Sequence, residues 1–192
     1  MATEALKSNP IVNLDSFPVV TNTTGEGDDG NMRCVNGHVA TTSGVTSPST
    51  YRLVRIPTNA KIKQVWLKNA LMGGATAADI DIAFSDSTVD GTQQSLATLA
   101  NPVVQITGPA DNKLFGSATS LVSASAGAGH TEITFANTFT TDMQNIPLWQ
   151  VLVNLGATQF SSDPGGFFDI MVKTTATVTT GGDVSILVVY CI

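Results

Sequence analysis

Residues 51–84 read YRLVRIPTNAKIKQVWLKNALMGGATAADIDIAF, and we expect the rest of the fold to be arranged around them. This stretch contains three short runs of β-branched and aromatic residues, separated by Pro57-Thr58-Asn59 and by Gly73-Gly74. Proline and glycine mark the turns between neighbouring strands. The stretch therefore predicts a meander of three antiparallel strands.

The last strand of this stretch has the clearest alternation. Ile80, Ile82 and Phe84 are predicted to face the core, with Asp79 and Asp81 on the opposite face. Two carboxylates on one face of a strand lie about 6 to 7 Å apart, as in paired-carboxylate hydrolases. The outward positions of any half-buried strand have the same pattern, so we predict no enzyme. We expect asparagine at both acidic positions to leave folding nearly unchanged.

The two earlier strands are less regular. In the first, strict alternation places Arg52 on the same face as Val54 and Ile56. In residues 60–69 the apolar alternation slips by one position, which predicts a β-bulge near Lys63-Gln64.

The same stretch holds most of the positive charge of an acidic chain, whose formal net charge is −6. A deficit of basic residues argues against nucleic-acid binding, because phosphate neutralisation needs a surplus of lysine and arginine. The basic residues are a candidate docking patch for an acidic partner or an adjacent copy, or else part of a solvated mixed-charge sheet. They are Arg52, Arg55, Lys61, Lys63 and Lys68.

Composition indicates one mostly β domain. The chain has 192 residues, of which only 12% are charged, whereas surface helices need many Glu, Lys and Arg. We find no run of about 20 apolar residues that could cross a membrane and no signal pattern at the start. We expect Cys34 and Cys191 to be reduced and buried, because two distant cysteines do not form a disulfide framework.

Residues 1–30 are predicted to form an extended arm. Pro10 and Pro18, with the closing GEGDDG, exclude a long helix, while the apolar content is high for a solvated tail. The arm either lies across a neighbouring surface or packs on its own domain. Its candidate contact residues are Ile11, Val12, Leu14, Phe17 and Val19.

Residues 31–192 are predicted to form the folded domain. Its least regular part, residues 85–147, indicates a long excursion with one short helix, based on the spacing of Leu114, Ala118, Leu121 and Val122. Strand character is predicted to resume over residues 131–139.

The C-terminal part predicts a second short helix and the last strands. Pro147 is predicted to start the helix and Gly156 to end it. The final strand, VSILVVYC, is apolar on both faces, which predicts a central position in its sheet. About eight strands in all indicate an all-β antiparallel sandwich, jelly-roll-like, with one or two short helices and the N-terminal arm.

Metal and cofactor sites are not predicted. The acidic clusters at residues 25–31 and 86–91 are rich in oxygen ligands, but neither matches the spacing of a calcium loop. His38 and His130 have no partners at ligand spacing.

Several sequence segments resemble those of small capsid-associated proteins of tailed bacteriophages, of the decoration or cement kind. They are RLVRIPTNAKIKQVWLKNA (52–70), AADIDIAF (77–84), KLFGSATSLV (113–122), IPLWQVLVNLG (146–156), DPGGFFDIMVKTT (163–175) and GGDVSILVVY (181–190). The resemblance lies in the order of these segments along the chain and in their residue patterns, and it includes no catalytic signature.

The resemblance implies a β-sandwich that binds the outside of an icosahedral shell, often as an oligomer, without doing chemistry. From the lack of a signal pattern we expect synthesis in the host cytoplasm. The implied partners are the major capsid protein and other copies of itself, most plausibly as a homo-trimer. One alternative is a receptor-binding or head-fibre base module on the same particle. Another, from a different class, is a soluble small-ligand binder or enzyme.

Overall fold

The computed structural model describes residues 32–44, 49–70, 77–84, 113–120 and 131–192. The predicted arm with its candidate contact residues, both acidic clusters and His130 lie outside these ranges. Their predictions therefore stay predictions.

Eight strands are described. They are β1 (Met32–Ala40), β2 (Thr50–Pro57), β3 (Lys61–Asn69), β4 (Ala77–Phe84), β5 (Gly116–Ser120), β6 (Thr131–Glu132), β7 (Phe167–Thr174) and β8 (Asp183–Cys191). A 3-10 helix, Thr141–Asn145, and one α-helix, α1 (Leu148–Asn154), lie between β6 and β7.

The strands form two four-stranded antiparallel sheets. The first sheet has the order β1-β8-β3-β6 and the second has the order β2-β7-β4-β5. Strand one thus pairs with eight, two with seven, three with six and four with five, as when a long ribbon is folded in half and rolled up. This order is that of a jelly roll and confirms the all-β sandwich. Strand β8 lies between β1 and β3, which confirms its predicted central position.

One hydrophobic core lies between the sheets and extends to α1. Ile80 and Ile82 of β4 are fully buried in it, as predicted. The largest fully buried side chains are Phe115, Phe139, Phe168, Ile56, Ile62, Ile80, Ile82, Leu114 and Leu148.

Two strands contain irregularities that reset their alternation. The β3 register shifts between Ile62 and Gln64, which confirms the predicted bulge. The shift lets Ile62, Val65 and Leu67 all reach the core. A second shift, between Arg52 and Val54 of β2, was not predicted.

The predicted helix around residues 114–122 is wrong for Gly116–Ser120, which form strand β5 beside β4. Cross-strand pairing and packing outweigh a weak helical spacing in so short a segment. The Phe115 ring lies 5.2 Å from that of Phe139, just before the strand. Residues 131–139 are also less regular than predicted, because only Thr131–Glu132 are strand. Whether residues 85–147 as a whole form an excursion stays a prediction.

Helix α1 follows Pro147, as predicted, and closes one end of the sandwich. Its Leu148 N–H donates to the Ala60 carbonyl at 2.9 Å, and its Trp149 N–H donates to the Thr58 carbonyl at 3.1 Å. These bonds fix the turn between β2 and β3. Gly156, with a φ of 103°, ends the helix in the left-handed region that glycine adopts without strain.

Cys191 is buried as expected, but the expectation for Cys34 was wrong, because Cys34 is exposed. It lies on β1, an edge strand whose side chains are only partly covered. Within the described ranges, no helix is long and apolar enough to cross a membrane.

Candidate functional site

The outer face of the second sheet, the face that points away from the core, carries three buried carboxylates. Asp79 and Asp81 of β4 and Asp169 of β7 are all buried, together with Met171. The prediction that Asp79 and Asp81 point away from the core is correct. The expectation that asparagine at either position leaves folding nearly unchanged assumed hydrated side chains, whereas both are buried. Burial makes their hydrogen bonds and ion pairs necessary, since an unpaired buried charge is costly.

Asp169 binds two arginines from the neighbouring edge strand. Arg55 donates from Nε to Oδ1 at 2.7 Å and from Nη2 to Oδ2 at 3.0 Å, while Arg52 donates from Nη1 to Oδ2 at 3.3 Å. The two bonds from Arg55 form the planar fork that suits a carboxylate. Asp169 is thus held by a bidentate pair and a longer third bond.

The β2 bulge explains how both arginines reach one carboxylate. Arg55 lies directly opposite Asp169 in the β2–β7 register, and the shift between Arg52 and Val54 changes the alternation before it. Arg52 therefore lies on the outer face with Arg55, and its predicted place on the face of Val54 was wrong. Residues three apart share a face of a strand only when a bulge intervenes.

A second ion pair links β4 to the segment before β5. Lys113 Nζ lies 3.2 Å from Asp79 Oδ2, and Lys173 of β7 is the cross-strand neighbour of Asp79. The outer face of the second sheet therefore carries the acidic groups of β4 and β7 beside the basic groups of β2, β7 and the segment before β5. Such an arrangement holds neighbouring strands together.

Tyr51 of β2 adds a titratable group to the same sheet. Burial raises the pKa of its phenol. Burial disfavours the charged phenolate, so Tyr51 stays neutral at physiological pH.

The five basic candidate residues do not form a single patch. Arg52 and Arg55 lie on the second sheet with Asp169, whereas Lys61, Lys63 and Lys68 lie on β3 of the first sheet. Lys63 Nζ is 3.4 Å from Asn145 Oδ1 of the 3-10 helix. The five residues are close in sequence, but they lie on different sheets because β2 and β3 belong to different sheets.

His38 forms an exposed pair with Asp183, with Nε2 lying 3.2 Å from Oδ1. Exposed ion pairs contribute little to stability. Among the described residues, no group of three or more His, Cys, Asp or Glu is placed to hold a metal ion. The sequence analysis missed Asp169, since its only signal was an outward position on a strand of unknown pairing.

No protein-family model matches the chain, and no curated protein matches it. Among solved structures, a chain of the cyanophage Pam1 capsid asymmetric unit is similar, with 14% sequence identity and a TM-score of 0.47. The alignment covers 93% of this chain and 96% of that one. The jelly-roll assignment rests on the strand order described above.

Proposed function

We propose that this chain is a structural virion protein of a bacteriophage, which decorates the capsid exterior and stabilises the shell by bridging neighbouring major capsid protein subunits. The observation that carries the proposal is the resemblance of its sequence segments to those of decoration proteins. Those segments coincide with the framework of the jelly roll: residues 52–70 span most of β2 and all of β3, and residues 77–84 are β4. Residues 163–175 and 181–190 contain β7 and most of β8.

The use of polar groups in the described ranges supports a role without chemistry. Asp169 holds two arginines, and Asp163 accepts bonds from the Thr58 hydroxyl at 2.6 Å and from the Gly165 N–H at 2.9 Å. Each of these carboxylates fixes one element of the fold to another. A catalytic carboxylate, in contrast, must be able to reach a substrate group within hydrogen-bond distance. The bonds of Asp169 and Asp163 are made to groups of the fold itself.

The first sheet is the proposed docking side for the shell. Arg52 and Arg55 are engaged by Asp169, so binding an acidic partner through them would weaken that pair. Lys61 and Lys68 flank the inward-facing run of β3 on the outer face of the first sheet. Rim charges of this kind steer a partner and set its orientation.

Reconstitution tests the proposal. Capsids of the phage assembled without this chain should retain the purified protein on sedimentation and rupture at a higher temperature once it is bound. Lys68→Glu should weaken retention at least about tenfold, equivalent to about 1.4 kcal/mol. The matched control is Lys68→Arg, which keeps the positive charge at the same position and should bind like the unaltered chain. Absence of retention by the unaltered chain would refute the proposal.

One observation favours the alternative of a receptor-binding or head-fibre base module. Phe135, in the turn after β6, is exposed and stacks on Phe139 with ring centroids 6.3 Å apart. An exposed aromatic ring in a turn can stack on a sugar ring of a host receptor. For this alternative, Phe135→Ala should reduce adsorption of the phage to host cells and leave capsid retention unchanged.

A further inference from the structure

Strand β1 forms one edge of the first sheet. It pairs with β8 along all nine of its residues, Met32 to Ala40, without a register shift. Along its other edge it is hydrogen-bonded to no strand of the described ranges. A nine-residue strand presents an edge about 30 Å long with a row of backbone donors and acceptors.

The edge of β1 lacks the usual devices that prevent strand pairing. It has no proline and no bulge, and its one fixed charge is Arg33 near its start. Natural proteins blunt exposed edges with such features, so a long regular edge without them is suited to pairing.

Burial along β1 also indicates a missing neighbour. No residue of the strand is buried, although β8 beside it is central, and Val35 and Val39 are only half-covered where they pack against the core. Met32 is the most exposed large apolar residue of the described ranges, at 68%. A further strand beside β1 would cover these side chains.

The middle of β1 is held firmly in place. A Cβ added to Gly37 would lie 1.7 Å from the Leu53 carbonyl oxygen, so the β1 backbone packs directly on β2. An edge fixed in this way is preorganised, which reduces the entropy lost on pairing.

We propose that β1 pairs antiparallel with β1 of a second copy of this chain, about a two-fold axis at Asn36. The pairing joins the first sheets of the two copies into one continuous sheet. It goes beyond the proposed function, because it joins copies of the chain whatever shell or receptor they bind. The two-fold pairing of β1 is also separate from the contacts of the expected homo-trimer. In a shell, it would link one trimer to the next.

Self-complementarity favours a second copy as the occupant. A two-fold axis at Asn36 pairs all nine residues, and any other centre leaves some of them unpaired. Met32 then faces Ala40 of the second copy, and Arg33 faces Val39. No two like charges meet across the axis, whereas like charges directly opposite each other destabilise a pair of strands.

Engineered disulfides test the register. Directly opposite residues of an antiparallel pair have Cα atoms about 4.5 or 5.5 Å apart, within the range of about 4.4 to 6.8 Å that a disulfide spans. Asn36→Cys in a Cys34→Ser background should therefore give a covalent dimer under mild oxidation. The matched control is Asn59→Cys in the same background, at an exposed turn away from β1, which should stay monomeric on non-reducing electrophoresis.

A second cysteine variant tests the same register independently. With Cys34 retained, His38→Cys should form two symmetric disulfides, because residue 38 faces residue 34 of the second copy. Within one strand these residues are four apart and about 13 Å from each other. They do not bridge inside one chain.

A charge variant tests the non-covalent contact. Asn36→Asp places two carboxylates opposite each other at the axis and should raise the dimer dissociation constant at least about tenfold in sedimentation equilibrium. Asn59→Asp, the same chemical change elsewhere, should leave it unchanged. The proposal is overturned if neither β1 cysteine variant gives more covalent dimer than Asn59→Cys. If Asn36→Asp then weakens only capsid retention, the β1 edge binds the shell protein and not a second copy. In that case the β1 pairing is wrong, but the proposed function still holds.

Discussion

Replacing Asp169 by asparagine should destabilise the fold markedly. The change keeps the side chain's size but removes the charge that holds Arg55 through two bonds and Arg52 through a third. The Asp169 side chain is only 3% exposed, so water replaces the lost bonds poorly. The two arginines would then share a site that has lost one of its carboxylates.

The loss in the free energy of unfolding depends on how exposed to water each arginine already is. Removing one member of a fully buried ion pair costs about 3 to 5 kcal/mol. Here the Arg55 side chain is 47% exposed and that of Arg52 is 19% exposed, so both recover part of their hydration. We therefore expect a loss of about 2 to 3 kcal/mol in the free energy of unfolding. For a chain of this length the melting temperature should fall by roughly 5 to 10 °C.

Urea unfolding followed by circular dichroism measures this loss directly. The matched control is Asp142→Asn, an exposed carboxylate in the first turn of the 3-10 helix, which should change stability by less than about 0.5 kcal/mol. In a double-mutant cycle, Arg55→Gln and Asp169→Asn should be coupled by about 0.5 to 3 kcal/mol. Equal stability of Asp169→Asn and Asp142→Asn would show that the pair contributes nothing and refute the reasoning.

Other changes should act through separate features. Asp79→Asn should cost about 1 to 2 kcal/mol in urea unfolding, less than Asp169→Asn, because its partner Lys113 forms one ion pair and is 39% exposed. Gly37→Ala should cost at least about 3 kcal/mol in the same assay, since the added Cβ overlaps the Leu53 carbonyl and only a backbone shift relieves the overlap. Tyr51 should stabilise the fold fully below its ordinary pKa of about 10 and progressively less as pH rises through the raised pKa, a decline that Tyr51→Phe should remove in pH-dependent melts. Removing residues 1–25 should leave melting unchanged and weaken capsid retention at least about tenfold.

Each of these predictions has a contradicting outcome. Unchanged stability on alanine at position 37 would mean that β1 and β2 do not touch at Leu53. A parallel decline of the unaltered chain and Tyr51→Phe at high pH would assign the effect to lysines. A truncated chain that fails to fold would make the arm part of its own domain.

Features encoded by local pattern could be predicted from the sequence. The alternation of apolar and polar residues shifts by one position around Lys63-Gln64, and this shift located the β3 bulge. Such a shift is visible within the sequence of a single strand. The long apolar run of β8 indicated a central strand, since both of its faces are covered. Pro147 and Gly156 located α1 through their backbone restrictions.

Features that depend on pairing between distant segments could not be predicted. The face of Arg52 depends on a bulge set by β7, more than a hundred residues later. The five basic residues were divided by strand assignment to different sheets. Burial of Asp79 and Asp81 depends on what covers an outer sheet face, and alternation alone does not record that.

Electron cryo-microscopy of the assembled phage particle would show where this chain lies on the particle. Our account predicts density for an eight-stranded jelly roll on the outside of the shell, in contact with at least two neighbouring major capsid protein subunits. Density for this chain only at the tail, or its absence from the purified particle, would contradict the account.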